Sequence, residues 1–511
     1  MRGVTVLFIM SLFFWSCQNQ ENSNPDTDLK ATNDKKKEVK LFEQLSLEVT
    51  GIDFSNTLKE NVATKENLFD YDFFYNGSGV GIEDLNNDGL KDVFFCGNQA
   101  YNKLYLNQGD FKFEDMTIKA GVNLGKKWAT GVTFVDINND GWMDVYVSQG
   151  GPFPGEMRKN LLFINQKNLT FVESAEAYGL ADMGISSQAA FFDYDNDGDL
   201  DCVVMNENEL YGVEPKTFYK ALSNKDLLEK NTSNLYENVG GKFEKVTEKA
   251  GLLRPSFGLG LAVSDINKDG WLDIYIANDY YVPDAYYINN RNGTFTNAIK
   301  EDFNHVSFYG MGVDIADINN DSHQDIFVLD MASSDHIRSK TLMASMNEDR
   351  FNMLIDDLDM PHQYMFNSLH LNMGNNKFQN IAQLTKMAKT DWSWAALMAD
   401  FDNDALKDIY VTNGYRKYAL DNDFRRKVVE AQRDFKGNVP LQVKQDLYDK
   451  MIPGELPNIM YKNNGDLNFK NVPFGIDFSA KYSITANHVY LDSLAAPKQL
   501  SSDFACASIT A

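Results

Sequence analysis

An all-β fold of repeated small antiparallel sheets is what this sequence predicts, and three of its features do the predicting. A short acidic loop recurs six times in one frame, starting at Asp84, Asp136, Asp193, Asp265, Asp317 and Asp400. Each copy runs straight into a β-branched and aromatic segment: DVFFC, DVYVS, DCVVM, DIYIA, DIFVL and DIYVT. Such segments favour pleated strands. The loop starts are 52, 57, 72, 52 and 83 residues apart, and a period near fifty with about four short strands per unit marks a β-propeller blade. A β-solenoid would use shorter repeats, and a string of immunoglobulin-like units longer ones.

The remaining strands of each unit come from two further repeats. One is LYLNQG at Leu104, LLFINQ at Leu161, LYENVG at Leu235, YYINN at Tyr286, LHLNMG at Leu369 and MYKNNG at Met460. The other opens on Phe followed by an acid or amide, at Phe42, Phe113, Phe171 and Phe243, with weaker versions at Phe295, Phe378 and Phe469. Aromatic residues make up 13% of the chain, and a propeller uses them to fill the wedges between blades. Trp142 and Trp271 are therefore read as packing residues.

The loop itself reads as a calcium site. DLNNDGLKD, Asp84 to Asp92, sets Asp, Asn and Asp at alternate positions, a Gly sixth and an Asp ninth. Alternation brings several oxygens round one centre, and Gly permits the turn. Calcium takes six to eight oxygens at about 2.3–2.6 Å. An EF-hand is excluded, because it needs a Glu at position twelve and then a helix, whereas these loops close at position nine into strands. The competing reading is a set of solvated Asp/Asn/Gly turns.

The first 17 residues, MRGVTVLFIMSLFFWSC, read as an export signal: Arg2, then an apolar run from Val4 to Trp15. That run is too short for a membrane span, which needs about twenty residues. Ser16 and Cys17 resemble a bacterial lipobox, although bulky Phe14 and Trp15 stand where the motif has Leu and a small residue. The resemblance implies lipidation at Cys17, a membrane anchor and an outer-membrane lipoprotein of the cell envelope. An ordinary signal peptide with an incidental Cys is the alternative. Residues 18–41 are polar and mixed in charge, a flexible tether.

The stretches ATGVTFVDINNDGWMDVYVS, Ala129 to Ser148, and FGLGLAVSDINKDGWLDIYIAN, Phe257 to Asn278, resemble FG-GAP and VCBS repeats. Those repeats build the calcium-bearing propeller of integrin alpha chains. TNGYR at Thr412 to Arg416 resembles the bacterial relatives of cartilage acidic protein, the ASPIC/UnbV group. The resemblance spans residues 42–475, the expected propeller.

It implies a ligand set in each loop. These are Asp84, Asn86, Asp88 and Asp92; Asp136, Asn138, Asp140 and Asp144; and Asp193, Asp195, Asp197 and Asp201. The later loops supply Asp265, Asn267, Asp269 and Asp273; Asp317, Asn319, Asp321 and Asp325; and Asp400, Asp402, Asp404 and Asp408. A seventh-position carbonyl joins each set, from Leu90, Trp142, Asp199, Trp271, His323 and Leu406. Loops five and six carry Ser322 and Ala405 where the others have Gly, so they are expected to be strained and to lose metal first.

The chain carries a net charge of −25, which about six calcium ions would bring to −13. Both values argue against nucleic acid, which selects basic surfaces. Insertions at about 206–233, 331–366 and 414–458 break the rhythm, the last with helical spacing. They read either as one binding face for an unidentified protein or glycan, or as tolerated decoration. Residues 476–511 lack the repeat. Six loops are followed by a seventh Phe element at Phe469 and no seventh loop, so either a six-unit ring closes with a degenerate tail or a seven-bladed ring is truncated; the seven or more units of the relatives favour the second.

Cys96, Cys202 and Cys506, an odd number in separate units, are expected to be free buried thiols. Catalytic motifs are lacking, and His362 with His370 is the only close histidine pair. A binding or adhesion module is the leading expectation, and a calcium-dependent polysaccharide lyase or other carbohydrate-active propeller enzyme the alternative. A pocket with converging Tyr, His and Arg would favour the enzyme.

Overall fold

The computed structural model describes residues 45–472 except 65, 125–127, 343–347, 419–420 and 455. The export signal, Cys17, the tether and the tail from residue 473 lie outside the described residues.

Each acidic loop joins the first and second strands of a four-stranded antiparallel sheet. The first sheet comprises Val80–Glu83, Asp92–Phe95, Lys103–Asn107 and Phe113–Asp115. Ala129–Val135, Asp144–Gln149, Leu161–Asn165 and Phe171–Glu173 make the second. The third is Ser186–Phe192, Asp201–Asn206, Asn234–Asn238 and Phe243–Lys245. Gly258–Ser264, Asp273–Asn278, Ala285–Asn289 and Phe295–Asn297 follow as the fourth. The fifth has Val313–Ala316, Asp325–Val328, Ser368–Asn372 and Phe378–Asn380. Ser393–Ala399, Asp408–Asn413, Ile459–Asn463 and Phe469–Val472 complete the sixth. The fold is all-β with helical insertions, and its sheets are consistent with propeller blades; no closed barrel forms among the described residues.

Phe469 belongs to the sixth sheet. Its segment pairs Asn463 with Phe469 and Met460 with Val472, completing that sheet as its fourth strand. Every Phe element from Phe113 onward does the same for its own sheet.

The first strands of successive sheets pack against one another and are bonded across the joints. Thr133 donates to the Ala189 carbonyl at 2.8 Å, Ser187 to the Gly258 carbonyl at 2.7 Å, and the Met398 amide to Asp314 at 2.6 Å. Between sheets the apolar faces close into separate wedges; Tyr146, Leu162, Cys202, Val204 and Phe243 fill the one between the second and third. Cys96 and Cys202 are buried and free, as expected.

After the fourth strand the chain makes a helical turn and ends it on a left-handed Gly. Gly179 (φ 86°) packs on the next unit so closely that a Cβ would lie 2.3 Å from the Phe243 carbonyl oxygen, and Gly251 (φ 84°) repeats this with Phe295. No side chain fits there.

In a four-stranded meander the first and third turns lie at one end and the middle connection at the other. All three long insertions occupy middle connections, in sheets three, five and six, so they gather at the end opposite the acidic loops. They carry helices Pro215–Ala221 and Lys225–Glu229, then Arg338–Thr341 and Glu348–Asn352, then Asn422–Asp434 and Leu441–Asp449. The last pair matches the helical spacing of the sequence, with Asp421 capping Phe424 at 2.9 Å.

Candidate metal centres

Within each loop the side chains fold back on the backbone in one pattern. The first Asp accepts two amides: Asp84 takes those of Asp88 and Gly89 at 3.2 and 2.8 Å, and Asp265 those of Asp269 and Gly270 at 2.8 and 2.9 Å. The fifth-position Asp accepts the seventh amide, as Asp140 does from Trp142 at 3.0 Å. The closing Asp is buried and bridges two strands. Asp92 accepts from Leu85 and from Asn107, both at 2.9 Å, and Asp144, Asp201, Asp273, Asp325 and Asp408 repeat this. A carboxylate has about four acceptor positions, so two amide bonds leave capacity for a cation.

The donor set fits a hard, oxygen-seeking divalent ion. Burial, reinforced by the other carboxylates of the loop, pushes Asp92 and Asp144 up to about 6 and Asp201, Asp273 and Asp325 to about 7; Asp408 is raised too. A bound cation would oppose this shift and favour the charged carboxylates. In the third and sixth loops, Asp193 with Asp195 and Asp197, and Asp400 with Asp402 and Asp404, bring carboxylate oxygens within 4.8 Å of one another. Asp195, Asp199 and Asp402 each keep a buried oxygen with no hydrogen-bond partner. Loops one, two, four and five replace the middle carboxylate by the amides of Asn86, Asn138, Asn267 and Asn319.

Gly89, Gly141, Gly198 and Gly270 all have φ of 83–97°, and Ser322 and Ala405 are held at 69°. Strain at these two residues thus follows the expectation. The fourth position is left-handed as well: Asn87, Asn139, Asn196, Asn320 and Asn403, with Lys268 in the fourth loop. Asn tolerates this conformation; its recurrence was a readable signal that composition alone did not flag.

Two more features escaped the sequence. In four of the six units the Asn ending the third strand reaches back to the preceding unit's loop. Asn165 donates to the Leu85 carbonyl at 2.9 Å, Asn289 to Tyr194 at 2.7 Å, Asn372 to Ile266 at 3.2 Å and Asn463 to Ile318 at 2.9 Å. Asn238, in the third sheet, bonds only within its own unit, to Leu200. Neighbouring loops also touch directly, Asn87 to the Gly141 carbonyl and Asn320 to that of Ala405. Secondly, Lys462 places its ammonium on Asp402 and, at 3.0 Å, on Asp404, a built-in cation at the sixth loop.

The histidine pair separates: His370 is buried edge-on against Phe303 at 4.8 Å, its pKa lowered to about 3 by burial, while His362 stacks with Tyr364.

Residues 84–147 and 265–328 match the FG-GAP-like repeat family. These two stretches are FG-GAP-like repeats. The repeats resemble integrin alpha propellers, as the sequence implied. Integrin alpha-8 of Gallus gallus is 33% identical over 104 residues, 18% of this chain and 10% of its own. Cartilage acidic protein 1 of Xenopus tropicalis is 24% identical over 218 residues, 43% of this chain and 31% of its own. The chain therefore spans under a third of these curated relatives. Among solved structures, an Agrocybe aegerita lectin recognising non-reducing terminal N-acetylglucosamine aligns at a TM-score of 0.40 and 15% identity, covering 78% of this chain and 80% of its own. Among the described residues no helix is long and apolar enough to cross a membrane.

Proposed function

We propose that this FG-GAP-repeat protein is a calcium-loaded binding or adhesion module of a bacterial cell envelope, exported and lipid-anchored at Cys17, which takes a protein or glycan ligand at its insertion end. One observation carries the reading: the three insertions and the lead segment of residues 54–79 gather at the strand ends opposite the acidic loops. Metal and ligand thus have separate ends of the same sheets. About six calcium ions, one per loop, would hold the first-to-second strand turns, and the rigid sheets would present the insertions.

The insertion end also supports the second, enzymatic reading in part. Tyrosines and two arginines line a cavity there, but no histidine does. Binding is the reading the lining favours.

The test has two arms on the purified full chain. Calcium content after equilibration, with melting in calcium and in chelator, is expected to give about six ions and a large loss of stability on chelation. A glycan array and a panel of envelope proteins, probed in calcium, are expected to yield a ligand. A chain that binds no calcium and melts alike in chelator overturns the metal reading, and a silent array and panel overturn the binding reading.

A further inference from the structure

The insertion end encloses a cavity of about 450 Å³, within the range of about 300–1,000 Å³ typical of small-molecule sites. Its walls come from distant parts of the chain. Asp72 and Asn76 belong to the lead segment, Asp279 and Tyr280 to the fourth unit, and Trp392 and Arg425 to the sixth. Glu214 and Arg350 enter from the other two insertions.

One wall is aromatic and flat. Tyr415 stacks on Trp392 at 4.0 Å and 10° and lies at 10° to Trp394 at 5.9 Å, so the three rings share one orientation. Trp392 keeps a buried indole N–H with no partner. Carboxylates line another side. Asp72 accepts the Tyr280 hydroxyl on one oxygen and Asp279 accepts the Tyr280 amide at 2.6 Å on one oxygen, leaving each a second acceptor. Behind them Asn76 donates to Glu207, whose other oxygen is buried without a partner. Burial pushes Asp279 up to about 8 and raises Asp72 and Glu207, so these groups are costly to keep charged and are best met by a neutral partner that both donates and accepts hydrogen bonds.

The mixture selects its ligand. A purely apolar ligand would strand the carboxyl groups and the indole N–H. A phosphate or other compact anion would lie against the oxygens of Asp72, Asp279 and Glu214, and a quaternary ammonium, for which an aromatic cage alone would suit, would leave the hydrogen-bonding groups of Asp72, Asp279 and Trp392 unanswered. A pyranose meets every demand at once: hydroxyls to bond Asp72 and Asp279, oxygens for the Trp392 indole N–H and the exposed Arg425 guanidinium, and an apolar C–H face for the aromatic wall. We propose that this cavity, bounded by Asp72, Asp279, Trp392 and Arg425, is a saccharide-binding site for one pyranose residue. The assignment rests on the reading of the insertion end as the binding end and narrows it to a glycan.

The experiment uses the full chain in calcium with the methyl glycosides of glucose, galactose, mannose and N-acetylglucosamine, read by saturation-transfer NMR and by tryptophan fluorescence. At least one glycoside is expected to receive saturation on its ring protons with a Kd of about 1 mM, the scale for a ligand of about a dozen heavy atoms at modest efficiency. Asp279→Asn is expected to weaken it at least tenfold. Arg425→Gln, which changes an exposed side chain and leaves the core alone, is expected to weaken it at least threefold with the melting temperature unchanged. No transfer to any glycoside, or binding that both variants leave intact, overturns the saccharide site. If the array reports a glycan ligand that these variants still bind, the pocket assignment fails while the binding module stands. Saturation transfer to tetramethylammonium and to no glycoside would replace it with a cation site.

Discussion

Replacing Ala405 and Ser322 by Gly should stabilise the protein. Both are held at φ 69°, a region that costs an L-residue about 1–2 kcal/mol. At the four equivalent glycines, Gly89, Gly141, Gly198 and Gly270, an added Cβ would meet nothing within 4 Å. The cost is therefore one of backbone conformation, with no collision to add to it. Glycine returns about 0.5–1 kcal/mol of that through the greater freedom of its unfolded chain. The net gain is about 0.5–1 kcal/mol per site, and about 1–2 kcal/mol for the pair. Unfolding entropy of about 2.1 cal/mol/K per residue makes that only about 1–2 °C in a chain of this size, so urea midpoints serve better than melting temperatures. Sites five and six of the parent should be the first emptied in a chelator titration. In the double variant site five should empty together with the first four, while site six, which Lys462 also occupies, should move toward them. The mirror experiment, Gly141→Ala with Gly270→Ala, should cost about the same amount. A destabilised double glycine variant, or a harmless double alanine variant, refutes the strain argument.

Three further outcomes follow from the geometry. Asn372→Ala removes bonds to the Ile266 and Gln324 carbonyls at a buried site and should cost about 2–4 kcal/mol in urea denaturation, whereas Asn238→Ala, with no reach to the preceding unit, should cost less. Asp279 titrates near 8 when folded and near the ordinary carboxylate value when unfolded, so the folded state holds its proton more tightly. Its contribution to stability is complete below about pH 4 and is lost as pH rises through about 8, with a slope of up to about 1.4 kcal/mol per pH unit. In saturating calcium, Asp279→Asn should therefore flatten the fall in stability between pH 5 and 9, measured by urea midpoints. Lys462→Met should raise the calcium affinity of the sixth loop and lower stability in chelator, because Asp402 and Asp404 lose the ammonium that stands in for a divalent ion; isothermal titration distinguishes this from a chain that binds five ions in both forms.

The sheets were legible because their signals are local. An Asp nine residues into a loop and an aromatic strand after it lie within fifteen residues, so their spacing survives in the sequence. The strain at Ser322 and Ala405 was legible for the same reason. The place of the Phe elements within a unit was less legible, because only the pairing of Phe469–Val472 with Ile459–Asn463 shows that such an element closes its own sheet. The reach of Asn165 to Leu85 spans 80 residues, and no local pattern announces it. The cavity was hidden most completely, since Asp72, Asp279 and Trp392 are ordinary residues until the insertion end brings them together. The insertions were readable as departures from rhythm, and their common end follows from the meander once each is assigned to a middle connection.

The lead segment closes contacts across most of the chain. Tyr71 bonds the Gly151 amide, Tyr75 bonds Tyr448 373 residues downstream, and the Leu58 carbonyl accepts from Arg416, 358 residues away. During synthesis these early residues emerge first and must wait, unsatisfied, until nearly the whole chain has appeared. Closing contacts of such separation is slow. Phe73, Phe74 and Tyr75 share one core cluster with residues as distant as Tyr415, Tyr448 and Tyr461, so a chain lacking the sixth unit would leave part of their surface uncovered. The last sheet is thus a structural partner of the segment that precedes the first.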